Sequence, residues 1–179
     1  MSAPIPNCLD AGRLGQVLTD PMEERRRMAE KPYTLAFVQQ VPRPLPEVFD
    51  FFSRAQNLEV LTPPWLNFKI LRVSPQPVRQ GTLINYSLRV HSIPLKWTSE
   101  IVEWEPPCRF VDLQLRGPYK LWRHEHRFEA RQGGTLISDT INLALPLGVL
   151  GKLAYKMKVR SDVHAIFAFR EKKIHSLFG

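Results

Sequence analysis

Cysteine is nearly absent from this chain of 179 residues, which has only Cys8 and Cys108. Two residues so far apart define neither a disulfide framework nor a Cys-based zinc site. A reducing, cytoplasmic setting is therefore the expectation, with membrane-peripheral association left open. No apolar run approaches the ~20 residues needed to span a bilayer. The N-terminus lacks the basic region and apolar stretch of a secretory signal. Also missing are a phosphate-cradling Gly-rich loop, a dinucleotide fingerprint and a Gly-x-Ser-x-Gly elbow, which disfavours the enzyme classes built on them. There is no internal repeat and no low-complexity tract.

The residues that are present describe an ordinary globular chain, 44% apolar and 23% charged. Lys and Arg outnumber Asp and Glu by 25 to 17, giving a net charge of +8. That excess favours anionic partners without choosing among them. Residues 1–32 read as an N-terminal extension, aperiodic at first, with a short polar helix starting at Asp20-Pro21-Met22-Glu23. The compact domain spans residues 33–179. Tyr33–Val38 reads as a strand. Leu45, Val48, Phe49 and Phe52 mark a short amphipathic helix over 44–53, and a second covers 55–61.

Six further strands follow, at 68–73, 82–91, 95–104, 110–116, 121–131 and 135–145. They are separated by Pro- and Gly-rich turns. Short connections imply antiparallel neighbours. The segment 147–177 contains no proline and keeps helical spacing, so it reads as one long helix. It is the one element large enough to cover the apolar face of the sheet. The fold class is therefore α+β: a curved antiparallel sheet of about seven strands wrapped around a long C-terminal helix.

Several motifs fall in a familiar order. They are Pro44-Leu45-Pro46-Glu47-Val48-Phe49-Asp50-Phe51-Phe52, then Leu61-Thr62-Pro63-Pro64, then Gly81-Thr82-Leu83-Ile84-Asn85-Tyr86. Trp104-Glu105-Pro106-Pro107-Cys108-Arg109-Phe110 follows, and Gly117-Pro118-Tyr119 leads into Trp122-Arg123-His124-Glu125-His126-Arg127-Phe128. In this order the chain resembles the START-like, or helix-grip (SRPBCC), superfamily, and within it the bacterial polyketide cyclase/dehydrase and coenzyme Q-binding START-domain group. The resemblance covers about residues 33–175. It implies an internal cavity for lipids, isoprenoids or polyketides, in proteins of which some are cyclases and many are carriers or chaperones.

The segment Leu121–Arg131 carries the most chemistry. Arg123, Glu125, Arg127 and Glu129 alternate with Trp122, His124, His126 and Phe128. Strand side chains point to opposite faces in turn, so the charged set belongs outside and the Trp/His/His/Phe set inside. The two histidines then either sit in the core with satisfied partners or line a pocket and bind a polar ligand group. A third option is catalysis, with His124 or His126 as general base in an aromatase/cyclase or dehydratase-type reaction. The His-x-His pair could also supply two zinc ligands, with His164, Asp112 or Asp139 as a third, but the spacing does not tie these together. No metal and no cofactor is assigned.

Thr82, Ile84, Tyr86, Leu88 and Val90 form one inward set; Leu95, Trp97, Ser99 and Ile101 form another. In 110–116, ordinary alternation would bury Val111, Leu113 and Leu115, leaving Phe110 and Asp112 outside; the sequence does not decide. Asp139, among Ile137, Ile141 and Leu143, reads as buried with a partner. The candidate ligand-binding set is Tyr86, Trp97, Trp122, His124, His126, Phe128, Met157 and His164. Lys152, Lys156 and Arg160 form a basic stripe, either a solvated helix face or a dock for an anionic membrane. An interaction module built on this stripe is a further reading. Nucleic acid is disfavoured, because no aromatic residues interleave with the basic ones as a stacking platform would require.

Overall fold

The computed structural model describes residues 32–179, and the expected N-terminal extension and its short helix lie outside them. Strand β1 (Tyr33–Val41) is followed by helices α1 (Leu45–Phe52) and α2 (Asn57–Leu61) and a 3-10 turn (Pro64–Leu66). Strands β2 (Lys69–Ser74), β3 (Leu83–Val90), β4 (Ile93–Glu105), β5 (Arg109–Arg116), β6 (Leu121–Arg131) and β7 (Gly134–Ala144) come next. The chain ends in α3 (Gly148–Ala154), a π-helical turn (Tyr155–Val159) and α4 (Arg160–Phe178). The expected α+β helix-grip architecture is present.

All seven strands form one sheet in the order β1-β7-β6-β5-β4-β3-β2, every neighbouring pair antiparallel. Sequential hairpins build β2 through β7, and β1 closes on β7. Gly133, at φ 82°, takes the left-handed conformation that the β6–β7 turn requires. Register shifts interrupt β2/β3 at Ile70/Arg72 and β4/β5 at Thr98/Ser99 and Ile101/Glu103. Each inserts residues on one strand only, which bends it and raises the local twist. These irregularities curl the sheet around the C-terminal helix.

Helix α1 begins after Pro44, whose fixed φ suits a helix start, and buries Leu45, Val48, Phe49 and Phe52 on one face. That face packs with Phe110, Phe128, Ile137 and the end of α4, at Ile174 and Phe178. A second apolar cluster joins Leu35, Ile141 and Leu143 to Tyr155, Val163 and Phe167. The long helix is thus anchored at two places, and the sheet bows away between them. The expected continuous helix over 147–177 is broken into α3, π turn and α4. π turns inside helices recur at functional sites. Cys108 is buried at the β4–β5 turn.

Candidate functional site

Between the concave sheet face and α4 lies a cavity of about 430 Å³. Its wall is mainly apolar, with Ile84, Leu88, Ile101, Val163 and Ile166 contributing from strands and helix. An aromatic band runs along β3, β4 and the start of β6. Tyr86 stacks on Trp97 at 5.8 Å between centroids, and Trp97 meets Trp122 edge-on at 5.5 Å. Tyr119 closes the band against Trp122 at 4.8 Å. At another edge of the cavity, His91 Nε2 at the β3–β4 turn reaches Asp162 Oδ2 on α4 at 2.8 Å.

One part of the wall is polar. Trp97 Nε1 donates to Ser99 Oγ at 3.0 Å, and Ser99 lies at 3.5 Å from both the Tyr86 hydroxyl and Asp112 Oδ1. Asp112 on β5 stands directly opposite His124 on β6, and His126 stands opposite Asp139 on β7. Asp112 Oδ2 is 3.5 Å from His124 Nδ1 and 3.3 Å from His126 Nε2. Asp139 Oδ1 is 3.0 Å from His124 Nε2 and 2.7 Å from His126 Nδ1. The second of these is close but lies off the line of a well-formed hydrogen bond, so Nδ1 of His126 is not satisfied by it. Arg170 from α4 completes the cluster, its Nη2 at 3.8 Å from Asp139 Oδ1. Each of the four imidazole nitrogens therefore faces a carboxylate oxygen.

The cluster is buried, and its electrostatics follow from that. Burial alone would raise both carboxyl groups. The histidines and Arg170 outweigh it and hold Asp112 below, and Asp139 well below, the usual range. Burial and the charge of His126 push His124 down. For His126 burial also opposes the charged form, but its two carboxylate neighbours win and raise it. The two imidazoles thus separate: His126 holds a proton more readily than His124. Burial lifts the Tyr86 hydroxyl well above its ordinary value, so it stays a neutral donor.

Residues 41–165 match the family described as polyketide cyclase / dehydrase and lipid transport. The chain belongs to this family. Solved structures share its fold at low identity. Protein Ms6760 from Mycobacterium smegmatis is 16% identical with a TM-score of 0.60, over 80% of this chain and 89% of that one. Protein CV1439 from Chromobacterium violaceum is 14% identical with a TM-score of 0.65, over 82% and 98%. Major latex-like protein 151 from Panax ginseng is 9% identical with a TM-score of 0.63, over 83% and 99%. These likenesses show the helix-grip fold, and together with the family match they bear out the START-like superfamily that the sequence motifs suggest. No curated protein matches the chain.

Within this family fold, the structure distributes the residues named from sequence unevenly. Tyr86, Trp97, Trp122, His124 and His126 line the cavity. Phe128 does not: one step deeper along β6, it is fully enclosed by Phe49, Phe52 and Phe110. Met157 does not either, because the π turn rotates it outward and leaves it 71% exposed. His164 lies on the far side of α4, edge-on to Phe37 and away from the cavity. Arg170 was missing from the sequence-derived residues, and Asp112 was named only as a possible third zinc ligand, outside the ligand-binding set. Phe110 is buried and Asp112 lines the cavity, whereas Leu115 is exposed, so β5 turns the face that ordinary alternation would place outside towards the helix. Phe110 and Asp112 pair directly with His126 and His124, so the register with β6 sets which face of β5 turns inward. The signal for Asp112 was its place in the alternate set Phe110, Asp112, Gln114 and Arg116, whose face the sequence alone did not decide.

Proposed function

We propose that the protein binds an apolar small molecule in this cavity, as a carrier or chaperone. A lipid, an isoprenoid quinone or a polyketide-like ring fits the chemistry of the wall. The observation that carries this reading is a cavity of about 430 Å³ with apolar and aromatic sides and a polar cluster confined to one part. Ligand pockets commonly combine such walls with a few convergent polar groups. Each 100 Å² of apolar ligand surface removed from water contributes about 2.5 kcal/mol. Tyr86, Ser99, Asp112 and Arg170 would orient a carbonyl or phenol oxygen.

The rival is a cyclase or dehydratase with His124 or His126 as general base. A base needs a nitrogen within hydrogen-bond reach of the substrate proton. Here each nitrogen of both rings already faces Asp112 or Asp139. That arrangement favours binding over proton transfer. The test is native mass spectrometry of protein from its own host, with solvent extraction and identification of the adduct. A stoichiometric apolar adduct is expected in the wild type and is lost in Leu88→Trp, which fills the cavity without touching the polar cluster. A wild-type mass without adduct, together with turnover of a polyketide-like substrate that His126→Gln abolishes, would establish the enzyme instead.

A separate observation supports loading at a membrane surface. Leu147, Val149, Leu150, Leu153 and Met157 are all exposed on α3 and the turns flanking it. Lys152, Lys156, Lys158 and Arg160 are exposed among them. An apolar ridge with basic flanks is suited to the headgroup region of an anionic bilayer. Among the described residues no helix is long and apolar enough to cross a membrane. Co-sedimentation with vesicles containing phosphatidylserine should fall sharply in Val149→Asp/Leu150→Asp and with added salt. Equal sedimentation of wild type and double variant would remove the docking role.

A further inference from the structure

We propose that Asp112, His124 and His126 form a binding site for one divalent transition-metal ion of the zinc or ferrous class, with its open coordination position facing the cavity. One ligand atom from each of the three lies within 4.8 Å of the others. The geometry is more specific than that bound. A tetrahedral ion with bonds of about 2.0–2.1 Å sets its ligand atoms about 3.3–3.5 Å apart. Asp112 Oδ2 is 3.5 Å from His124 Nδ1 and 3.3 Å from His126 Nε2. Two edges of the required polyhedron therefore already exist between atoms that attract each other only through a shared proton or cation.

The far side of each ring supports the same assignment. Metal-bound histidines characteristically donate the other ring N–H to a carboxylate, which fixes the tautomer. Asp139 Oδ1 is hydrogen-bonded to His124 Nε2 at 3.0 Å and lies beside His126 Nδ1 at 2.7 Å, off the line of a well-formed hydrogen bond. On the side away from Asp139, His124 Nδ1, His126 Nε2 and Asp112 Oδ2 converge on one another. A bound cation resolves that convergence. Arg170 approaches Asp139 rather than the ligand atoms, and braces the outer carboxylate.

Asp112 and His124 are paired on adjacent strands and His126 follows two residues later on the same face of β6, so the backbone holds their spacing. All three line the cavity, which leaves room for water or a ligand oxygen at the remaining position. Two imidazoles and a carboxylate are the donor set of zinc and non-haem iron sites, whereas calcium and magnesium prefer oxygen alone. His164, one of the third ligands the sequence left open, lies elsewhere.

The site goes beyond the apolar-ligand reading and does not depend on it, so the test uses ligand-stripped full-length protein. The chain is treated with a chelator and dialysed. It is then titrated with Zn²⁺, and separately with Co²⁺ as a spectroscopic probe. The expected result is one ion per chain, visible Co²⁺ ligand-field bands of a four- or five-coordinate centre, and a rise in Tm with Zn²⁺. Asp112→Asn, nearly identical in shape, keeps the fold by circular dichroism and weakens binding at least tenfold. His126→Gln does the same, and His164→Ala leaves binding unchanged. Absence of saturable binding by the folded wild type at micromolar metal would overturn the proposal. So would full retention of the Co²⁺ bands in folded Asp112→Asn. A loss confined to His164→Ala would place the metal on the far side of α4 and overturn it equally.

Discussion

The two faces of β6 use the same kind of chemistry to opposite ends. Outward, Arg123, Glu125 and Arg127 join Arg109, Glu103 and Glu105 in a network of ion pairs at the surface. Inward, one residue away at each step, His124 and His126 lie between Asp112 and Asp139 with almost no exposure. On the outer face most members keep contact with water, and the pairs bind neighbouring strands together. On the inner face the charges have lost their hydration, so each depends on its partners. Burial therefore turns a structural ladder on one side into an electrostatically poised site on the other.

The sharpest way to break the comparison is Asp139→Ala. It leaves Arg170 and two histidines without their shared acceptor, and removing one member of a buried charged cluster costs about 3–5 kcal/mol. Urea unfolding should show that loss as a lower midpoint with unchanged slope. On the outer face the corresponding change is Glu125→Gln. Glu125 touches Arg109, Arg123 and Arg127, so its loss should cost about 1–2 kcal/mol, clearly less than Asp139→Ala. A larger cost on the outer face would invert the contrast.

Acid sharpens it further. Burial alone would raise the Glu125 carboxyl, but its hydrogen bonds from Arg127 and Arg123 and the charge of Arg109 bring it from 4.5 to about 2. A group lowered in the folded state contributes stability above its unfolded value and loses it as pH falls through the folded one. The contribution should be full above pH 4.5 and vanish progressively towards about pH 2. Glu125→Gln should flatten that part of the stability curve, which urea midpoints at successive pH values would reveal. The smallest effect belongs to Glu129→Gln, whose partner Arg131 is largely in water. It should stay within about 0.5 kcal/mol.

Much of this was readable from residue order. The alternation in 121–131 places the histidines inside and the charges outside, because a strand has a period of two. The apolar neighbours of Asp139 signal its burial, and it is 3% exposed. The inward sets on β3 and β4 follow the same rule. Residues such as Met157 and His164 escaped it, because helical spacing alone does not fix which side of a long helix faces the cavity. The π turn then shifts that side midway.

The sequence by itself therefore determined the element order, the α+β architecture and the faces of the regular strands, since each depends on local periodicity and turn chemistry. Only the tertiary structure decided which polar residues meet. Asp112 and Asp139 are 27 positions apart, and they flank the histidines because β5, β6 and β7 pair in one register. Asp112 turns inward because it pairs with His124 on β6, which faces the cavity. Arg170 arrives from the last helix, brought there by the packing of apolar residues around it. Contacts of that kind depend on backbone pairing and burial across the whole chain, and no short-range pattern encodes them.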